Sequence, residues 1–246
     1  MSVPRFFAPA ASDAAGLVSL PSDEAHHLAR VLRLGIGARV RVFDGRGREW
    51  DGTVASAGKS SAAIEIAAEI APAAEPPVRV TLAVGLLKGD QMDAVVRDAT
   101  ALGASRIVPM SSAHVAVADK VWKSGAAVER WQRVAIASVK QCGRAVVPEI
   151  AAVQDFDTVL TTEAAAATLM CVEPVLATHG LELGRIGATR PASALVLIGP
   201  EGGWSAAEVD HARRRGATLV HLGPRTLRAQ TVPTVVLSAL WTVWGW

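Results

Sequence analysis

The sequence predicts an α/β protein: a parallel sheet covered by helices on both faces, preceded by a smaller β-rich module. Three observations carry that expectation. Two apolar runs, Leu195–Ile198 and Leu219–Leu222, each stop at a Gly-Pro pair, as a buried parallel strand does when it ends in a tight loop at its sheet's carboxyl edge. From residue 78 onward strand-like and helix-like segments alternate, which implies parallel pairing through helical crossovers. Ahead of them, Ala71–Pro77 holds three prolines in seven positions, which neither a ladder nor a helix interior accepts. The expected division is therefore a module over 1–71, a linker over 72–77 and a larger domain over 78–246.

Composition agrees with a folded chain and narrows its class. Half of the 246 residues are hydrophobic, enough for a real core. Net charge is only +2, but Arg30, Arg33, Arg39, Arg41, Arg46 and Arg48 face one acid in the same stretch, Asp44. That local basic stripe suits phosphates or an ordinary solvated face. Cys142 and Cys171 are far apart and lack metal-ligand or C-x-x-C spacing, so neither a disulfide framework nor a zinc site is expected, and a reducing compartment fits. The first residues lack the layout of a signal peptide, and no apolar run reaches bilayer length. A cytoplasmic protein without membrane contact is expected.

Within the module, Ser22 is placed as the N-cap of a helix to about Leu32. Arg39–Phe43 alternates polar and apolar residues, Asp44–Gly47 is a turn, and Glu49–Val54 returns as the partner strand. Ser60–Ile70 reads as a further strand. In the larger domain Val78–Val84 is a strand. Asp90 caps a helix with Met92, Val95, Val96, Ala99 and Leu102 on one face, and Gly103 closes it. Arg106–Met110 is the next strand, Glu129–Gln141 a helix, and Thr168–Val172 a third strand. Ser205 and Glu208 form a capping box for the helix between the two opening strands, and Gly216 ends it. The last sixteen residues give a helix with Pro233 in its first turn, apolar almost all round and so buried against its own sheet or another subunit, with its tryptophans favouring the latter.

The two Gly-Pro loops are the candidate site. Glycine leaves their backbone N–H and C=O groups unobstructed, and adjacent loops of this kind can read a flat nucleoside by main chain. The spacing matches neither a dinucleotide fingerprint nor a phosphate-binding P-loop.

Taken together, Pro4-Arg-Phe-Phe7, His26-His-Leu-Ala-Arg-Val-Leu-Arg33, Leu86-Leu-Lys-Gly-Asp90, Gln141-Cys-Gly-Arg144 with Val-Pro-Glu149, Ile198-Gly-Pro-Glu-Gly-Gly203 and Leu222-Gly-Pro-Arg-Thr-Leu-Arg228 form a specific order. The chain resembles the small-subunit ribosomal RNA methyltransferase E family, and the match runs nearly end to end. The resemblance implies a PUA-like RNA-binding barrel, then a SPOUT methyltransferase domain with a trefoil knot. It also implies a homodimer, joined through the catalytic domain including the C-terminal helix, that methylates N3 of a uridine in 16S rRNA within the 30S subunit. The methyl donor is S-adenosylmethionine, with no metal.

By that resemblance the donor cleft is built from Leu169, Cys171 and Glu173, from Ile198, Gly199, Pro200 and Gly203, and from Leu222, Gly223, Leu227 and Arg228. Uracil N3 is a weakly acidic imide inside the pairing edge, so the base must be unpaired and its anion stabilised. Arg228 is the expected guanidinium for that work, with Arg5 and Arg144 as helpers. Arg5, His27, Arg30, Arg33 and Lys88 are the expected RNA contacts. His26 and His27 are read as packing residues rather than metal ligands, Trp204 as packing, and Glu201 as either a loop organiser or a surface residue. Three positions depart from the family pattern: Ala113 with His114 for Glu-Arg, Lys140 for Glu, and Gln230 for an acid. They keep two alternatives open, a catalytically impaired ribosome-assembly factor of this fold and an enzyme acting on another RNA.

Overall fold

The computed structural model describes residues 3–14, 16–58, 60–116, 125–187 and 189–246. Its contacts divide the chain into two units, Met1–Glu75 with Val139–Val147, and Pro76–Ser138 with Pro148–Trp246.

The first unit is a five-stranded sheet of β1 (Arg5–Phe7), β2 (Leu17–Ser19), β3 (Arg39–Phe43), β4 (Glu49–Ala57) and β5 (Ala62–Ile70), in the order β1-β3-β4-β5-β2. Only β1 and β3 run parallel; the remaining neighbours are antiparallel. The β3–β4 turn is held by the buried Asp44, which accepts the N–H groups of Arg46 and Arg48 at 2.7 and 3.1 Å. Gly52 permits the bulge in β4, since a Cβ there would stand 2.6 Å from the Glu65 carbonyl. Helix α1 (Ser22–His26) begins one residue earlier than expected. Pro21 occupies the cap position and Ser22 is already helical, so its hydroxyl makes no cap bond. The helix then widens into a π-turn over His27–Val31. Strands β1 and β2 are too short for alternation to show in the sequence.

The second unit is an eight-stranded sheet in which every pairing is parallel. Its strands are β6 (Arg79–Gly85), β7 (Arg106–Ser111), β8 (Glu149–Ile150), β9 (Gln154–Asp155), β10 (Ala167–Cys171), β11 (Leu181–Glu182), β12 (Ser193–Ile198) and β13 (Thr218–His221). The order is β11-β13-β10-β12-β6-β7-β8, with β9 also on β7. Helices α2 (Gln91–Ala101), α3 (Ala126–Cys142), α4 (Phe156–Thr162), α5 (Ala206–Arg214) and α6 (Val232–Trp244) connect and follow them. Central strand β12 is buried from Ala194 to Ile198, the continuous apolar run that a doubly covered parallel strand requires. The Ser205–Glu208 capping box is complete, and Gly103 and Gly216 leave α2 and α5 at φ +85° each.

Helix α6 carries Pro233 in its first turn and buries Val236, Leu237, Leu240 and Trp244 within its own unit. Trp241 donates its indole N–H to the Leu102 carbonyl at 3.0 Å and meets Trp246 edge to face. A good part of that apolar surface is thus covered without a second subunit, while Trp246 stays 42% exposed. Among the described residues no helix is long and apolar enough to cross a membrane, and no three His, Cys, Asp or Glu side chains are grouped to hold a metal ion.

Candidate donor site

Because β10, β12 and β13 are parallel neighbours, their carboxyl ends emerge on one edge, and the loops that follow enclose a cavity of about 410 Å³ in the second unit. That is within the roughly 300–1,000 Å³ range of small-molecule sites. Its walls are Cys171 to Pro174, Ile198 to Glu201 with Gly203 and Trp204, Leu222, Arg225 to Gln230, Val232 and Gln91.

Close packing sets the shape of the loop after β12. Gly85, at the end of β6, has no room for a side chain, since a Cβ would come 2.5 Å from the Pro200 nitrogen. Gly199 lies against the Trp204 ring, where a Cβ would be 3.1 Å away. Trp204 is buried, packs on Phe156 and donates its N–H to the Cys171 carbonyl at 2.8 Å, tying the β12 loop to the end of β10. It is a packing residue, as expected. Glu201 accepts the Lys88 amide N–H at 3.1 Å and the Gln91 side-chain N–H at 3.3 Å, which settles it as a loop organiser. Gln91 itself was missed by sequence reasoning. It follows the Leu-Leu-Lys-Gly-Asp motif, whose turn brings it to the wall, and its Oε1 is buried there without a hydrogen-bond partner.

The loop after β7 supports the same wall. Glu208 is buried; one carboxylate oxygen serves the Ser205 cap and the other accepts the Ala113 N–H at 2.9 Å. The His114 ring nitrogen Nδ1 lies 3.1 Å from the Gly202 carbonyl, and a Cβ on Gly202 would meet the His114 backbone oxygen at 2.9 Å. The departure at Ala113–His114 therefore lies beneath the Gly-Pro-Glu-Gly-Gly loop.

Of the expected donor residues, Cys171, Glu173, Ile198, Gly199, Pro200, Gly203, Leu222, Leu227 and Arg228 line the cavity. Leu169 does not. It sits two residues inside β10, paired with Val196 and Thr218 and buried in the sheet. Gly223 does not either; at φ +95° it bends the chain instead of forming wall. Burial pushes the Cys171 thiol up to about 12, so it stays protonated and contributes shape. Arg228 is exposed on the cavity and has no side-chain hydrogen bond or ion pair among the described residues. Gln230 lines the cavity as well.

The expected helpers are placed elsewhere. Arg5 belongs to the first unit, where it binds both oxygens of Glu49 at 2.8 and 3.0 Å and caps the end of α3 through the carbonyls of Val139, Lys140, Gly143 and Arg144. Arg144, also in that unit, is buried and forked onto Glu75. Both guanidinium groups are committed to structure, and neither residue lines the cavity. Lys140 pairs with Glu24 at 2.8 Å and lies over the Phe6 ring. His27 is half-buried against Phe6, and burial, reinforced by the Lys140 charge, holds its pKa below the ordinary value. Its ring is uncharged at neutral pH and makes a poor phosphate contact. Arg30, Arg33 and Lys88 are exposed.

Residues 74–241 match the RNA methyltransferase domain and residues 20–67 the RNA methyltransferase PUA domain. Ribosomal RNA small subunit methyltransferase E of Synechocystis sp. is 32% identical over 229 residues, covering 91% of this chain and 72% of that one. The chain belongs to the ribosomal RNA small subunit methyltransferase E family. The Bacillus subtilis member is 29% identical over 230 residues, covering 90% and 88%. The crystal structure of the Neisseria gonorrhoeae member, bound to S-adenosyl methionine, superimposes with a TM-score of 0.88 at 28% identity over 99% of this chain and 98% of that one. The two units are thus a PUA-like module and a SPOUT-type α/β methyltransferase domain, and the chain is an RNA methyltransferase.

Proposed function

We propose that this family member transfers a methyl group from S-adenosylmethionine to N3 of a uridine in 16S rRNA, acting on the 30S subunit. The observation that carries the reading is the cavity at the ends of β10, β12 and β13, with a guanidinium free of protein partners on its rim. The residues present fit such a donor. Ile198, Leu222 and Leu227 offer apolar walls for a purine, Glu173 and Glu201 are carboxylates on the lining, and the buried Gln91 Oε1 lacks a donor partner. When bound, the donor supplies an electrophilic methyl on a sulfonium. The chain's own part is to hold the approach in line and to favour the uracil anion, and Arg228 serves the second task by placing positive charge at the developing oxyanion. Gln230 cannot take a proton from N3, so the imide proton leaves by a route that does not pass through that side chain.

The test is methylation of isolated 30S subunits and of naked 16S rRNA by the wild type and by Arg228→Ala, with the modified position mapped by mass spectrometry. Activity on the particle alone is expected, with at least a hundredfold loss in the variant, about 2.7 kcal/mol of transition-state stabilisation. A methyl found on a tRNA, or full activity without Arg228, refutes the reading. The enzyme is further proposed to work in the cytoplasm as a homodimer through the second unit including α6, the exposed Trp246 being its motive; sedimentation equilibrium reports the mass.

A further inference from the structure

The loop after β13 brings a second guanidinium to the cavity. Arg225 stands three positions before Arg228, and both are exposed residues on its lining. Thr226 and Leu227 between them line it too, so this stretch of chain follows the wall. Like Arg228, Arg225 forms no side-chain hydrogen bond or ion pair among the described residues. Two carboxylates, Glu173 and Glu201, border the same cavity, yet neither pairs with either arginine. Glu201 is committed to the Lys88 and Gln91 N–H groups. An arginine that serves the fold settles on an acid, as Arg5 does on Glu49 and Arg106 on Glu163. Two unpaired cations on one short loop repel each other, and a wall that holds both is suited to an anion that forms there later.

Three anions belong to the proposed reaction: the carboxylate of the donor, a phosphate of the RNA and the imide anion of the target base. A carboxylate or a phosphate is satisfied by one guanidinium, which grips two of its oxygens with parallel N–H groups. The imide anion differs. Once N3 has lost its proton, the charge is shared between O2 and O4, which lie on opposite sides of N3. One guanidinium cannot face both. Three residues of chain span at most about 10 Å, which lets two long side chains from one loop reach both edges of a single ring.

We propose that Arg225 is a second catalytic guanidinium, holding one carbonyl oxygen of the target uracil while Arg228 holds the other, so that the N3 anion forms between two positive charges. The inference rests on the reading of uridine N3 as the methyl acceptor. In the step it serves, the N3–H bond breaks, the proton passes to solvent water, and the electron pair stays on the imide. That pair forms the N3–carbon bond as the methyl's bond to sulfur breaks with its electrons kept on sulfur, leaving a neutral thioether. Charge on O2 and O4 peaks between those two events, when fixed cations act most strongly.

The experiment is single-turnover methylation of 30S particles by the wild type, Arg225→Ala and Arg225→Lys, from about pH 6 to about pH 9, with the modified atom mapped by mass spectrometry. A parallel set uses particles whose rRNA carries 5-fluorouridine, in which the ring fluorine makes the N3–H more acidic. Loss of a positive charge raises the pKa of the bound imide. Arg225→Ala is therefore expected to be slower by about tenfold or more near neutral pH, and to close on the wild type as the pH rises. On the fluorinated particles the two should close at a lower pH. Arg225→Lys should lie between them, since it keeps the charge and loses the paired N–H geometry. Donor affinity by calorimetry should stay within about twofold, and the thermal midpoint should hold, because the side chain has no protein partner to lose. A rate ratio constant with pH on both kinds of particle, or an unchanged rate, overturns the proposal. So does a tenfold loss of donor affinity, which would give Arg225 to the donor's carboxylate, or a lowered midpoint in both variants, which would give it to the fold. A wild-type methyl on an atom other than uridine N3 brings down the reading of the acceptor and this proposal together, whereas N3 methylation with a constant ratio brings down this one alone.

Discussion

At the scale of single residues, Lys140 shows how an unusual position is accommodated. Its ammonium meets Glu24, whose side chain is only 7% exposed, so the pair is stabilising mainly because each partner satisfies the other. Lys140→Ala leaves a buried carboxylate alone and is expected to cost about 3 kcal/mol in chemical denaturation. Lys140→Glu should be worse, and Glu24→Lys combined with Lys140→Glu should recover much of the loss. Failure of the double variant to recover would show that the site is fixed by packing and not by charge. His27 gives a prediction with pH. Its folded pKa lies below 6.5, so between that lowered value and 6.5 the unfolded chain binds more protons, and stability rises with pH through that window. Thermal midpoints of His27→Asn should lose this slope. Arg228 was singled out through the family resemblance, as the guanidinium just past the Leu222-Gly223-Pro224 turn, and it lines the cavity. Arg5 and Arg144 misled because their partners, Glu49, Glu75 and the carbonyls at the end of α3, are distant in sequence.

At the scale of elements, the loop after β12 is specified by what surrounds it more than by its own sequence. Gly202 is not glycine for flexibility: a Cβ would stand 2.8 Å from the His114 Cβ and 2.9 Å from its backbone oxygen. Gly202→Ala is expected to push the two loops apart and weaken donor binding by tenfold or more, about 1.4 kcal/mol, as read by calorimetry. Unchanged affinity would mean that the loop after β7 gives way freely and does not shape the cavity. Periodicity and caps showed the long elements, such as α2, α5 and the central strands, because each repeats its signal over several residues. It could not show β8, β9 or β11, which are two residues each and exist only because β7 or β13 offers a free edge. Gln91 escaped for a related reason. Its place on the cavity wall depends on a hydrogen bond to Glu201, 110 positions away.

At the scale of the whole molecule, the family motifs pointed to the edge that holds the cavity, since two of the three loops that form it, those after β12 and β13, each carry one. Strand order was not disclosed, because local alternation says that a sheet is parallel without saying which strand lies beside which. Nor does any residue pattern announce that Val139–Val147 rejoins the first unit. That return has an experimental consequence. Val139 and Ala145 contribute to a small core with Phe43, and the carbonyls of Val139, Lys140, Gly143 and Arg144 receive Arg5. A fragment ending at Glu75 lacks all of these and is expected to show no cooperative thermal transition, whereas an independently folding fragment would contradict the division. Conversely, a protease that severs the proline-rich stretch 71–77 should release nothing: the nicked halves are expected to elute together from a sizing column, laced by a strand of polypeptide that one half owns and the other inhabits. Shuffling this N-terminal portion among relatives as a cassette would for the same reason require transplanting two separate stretches of gene.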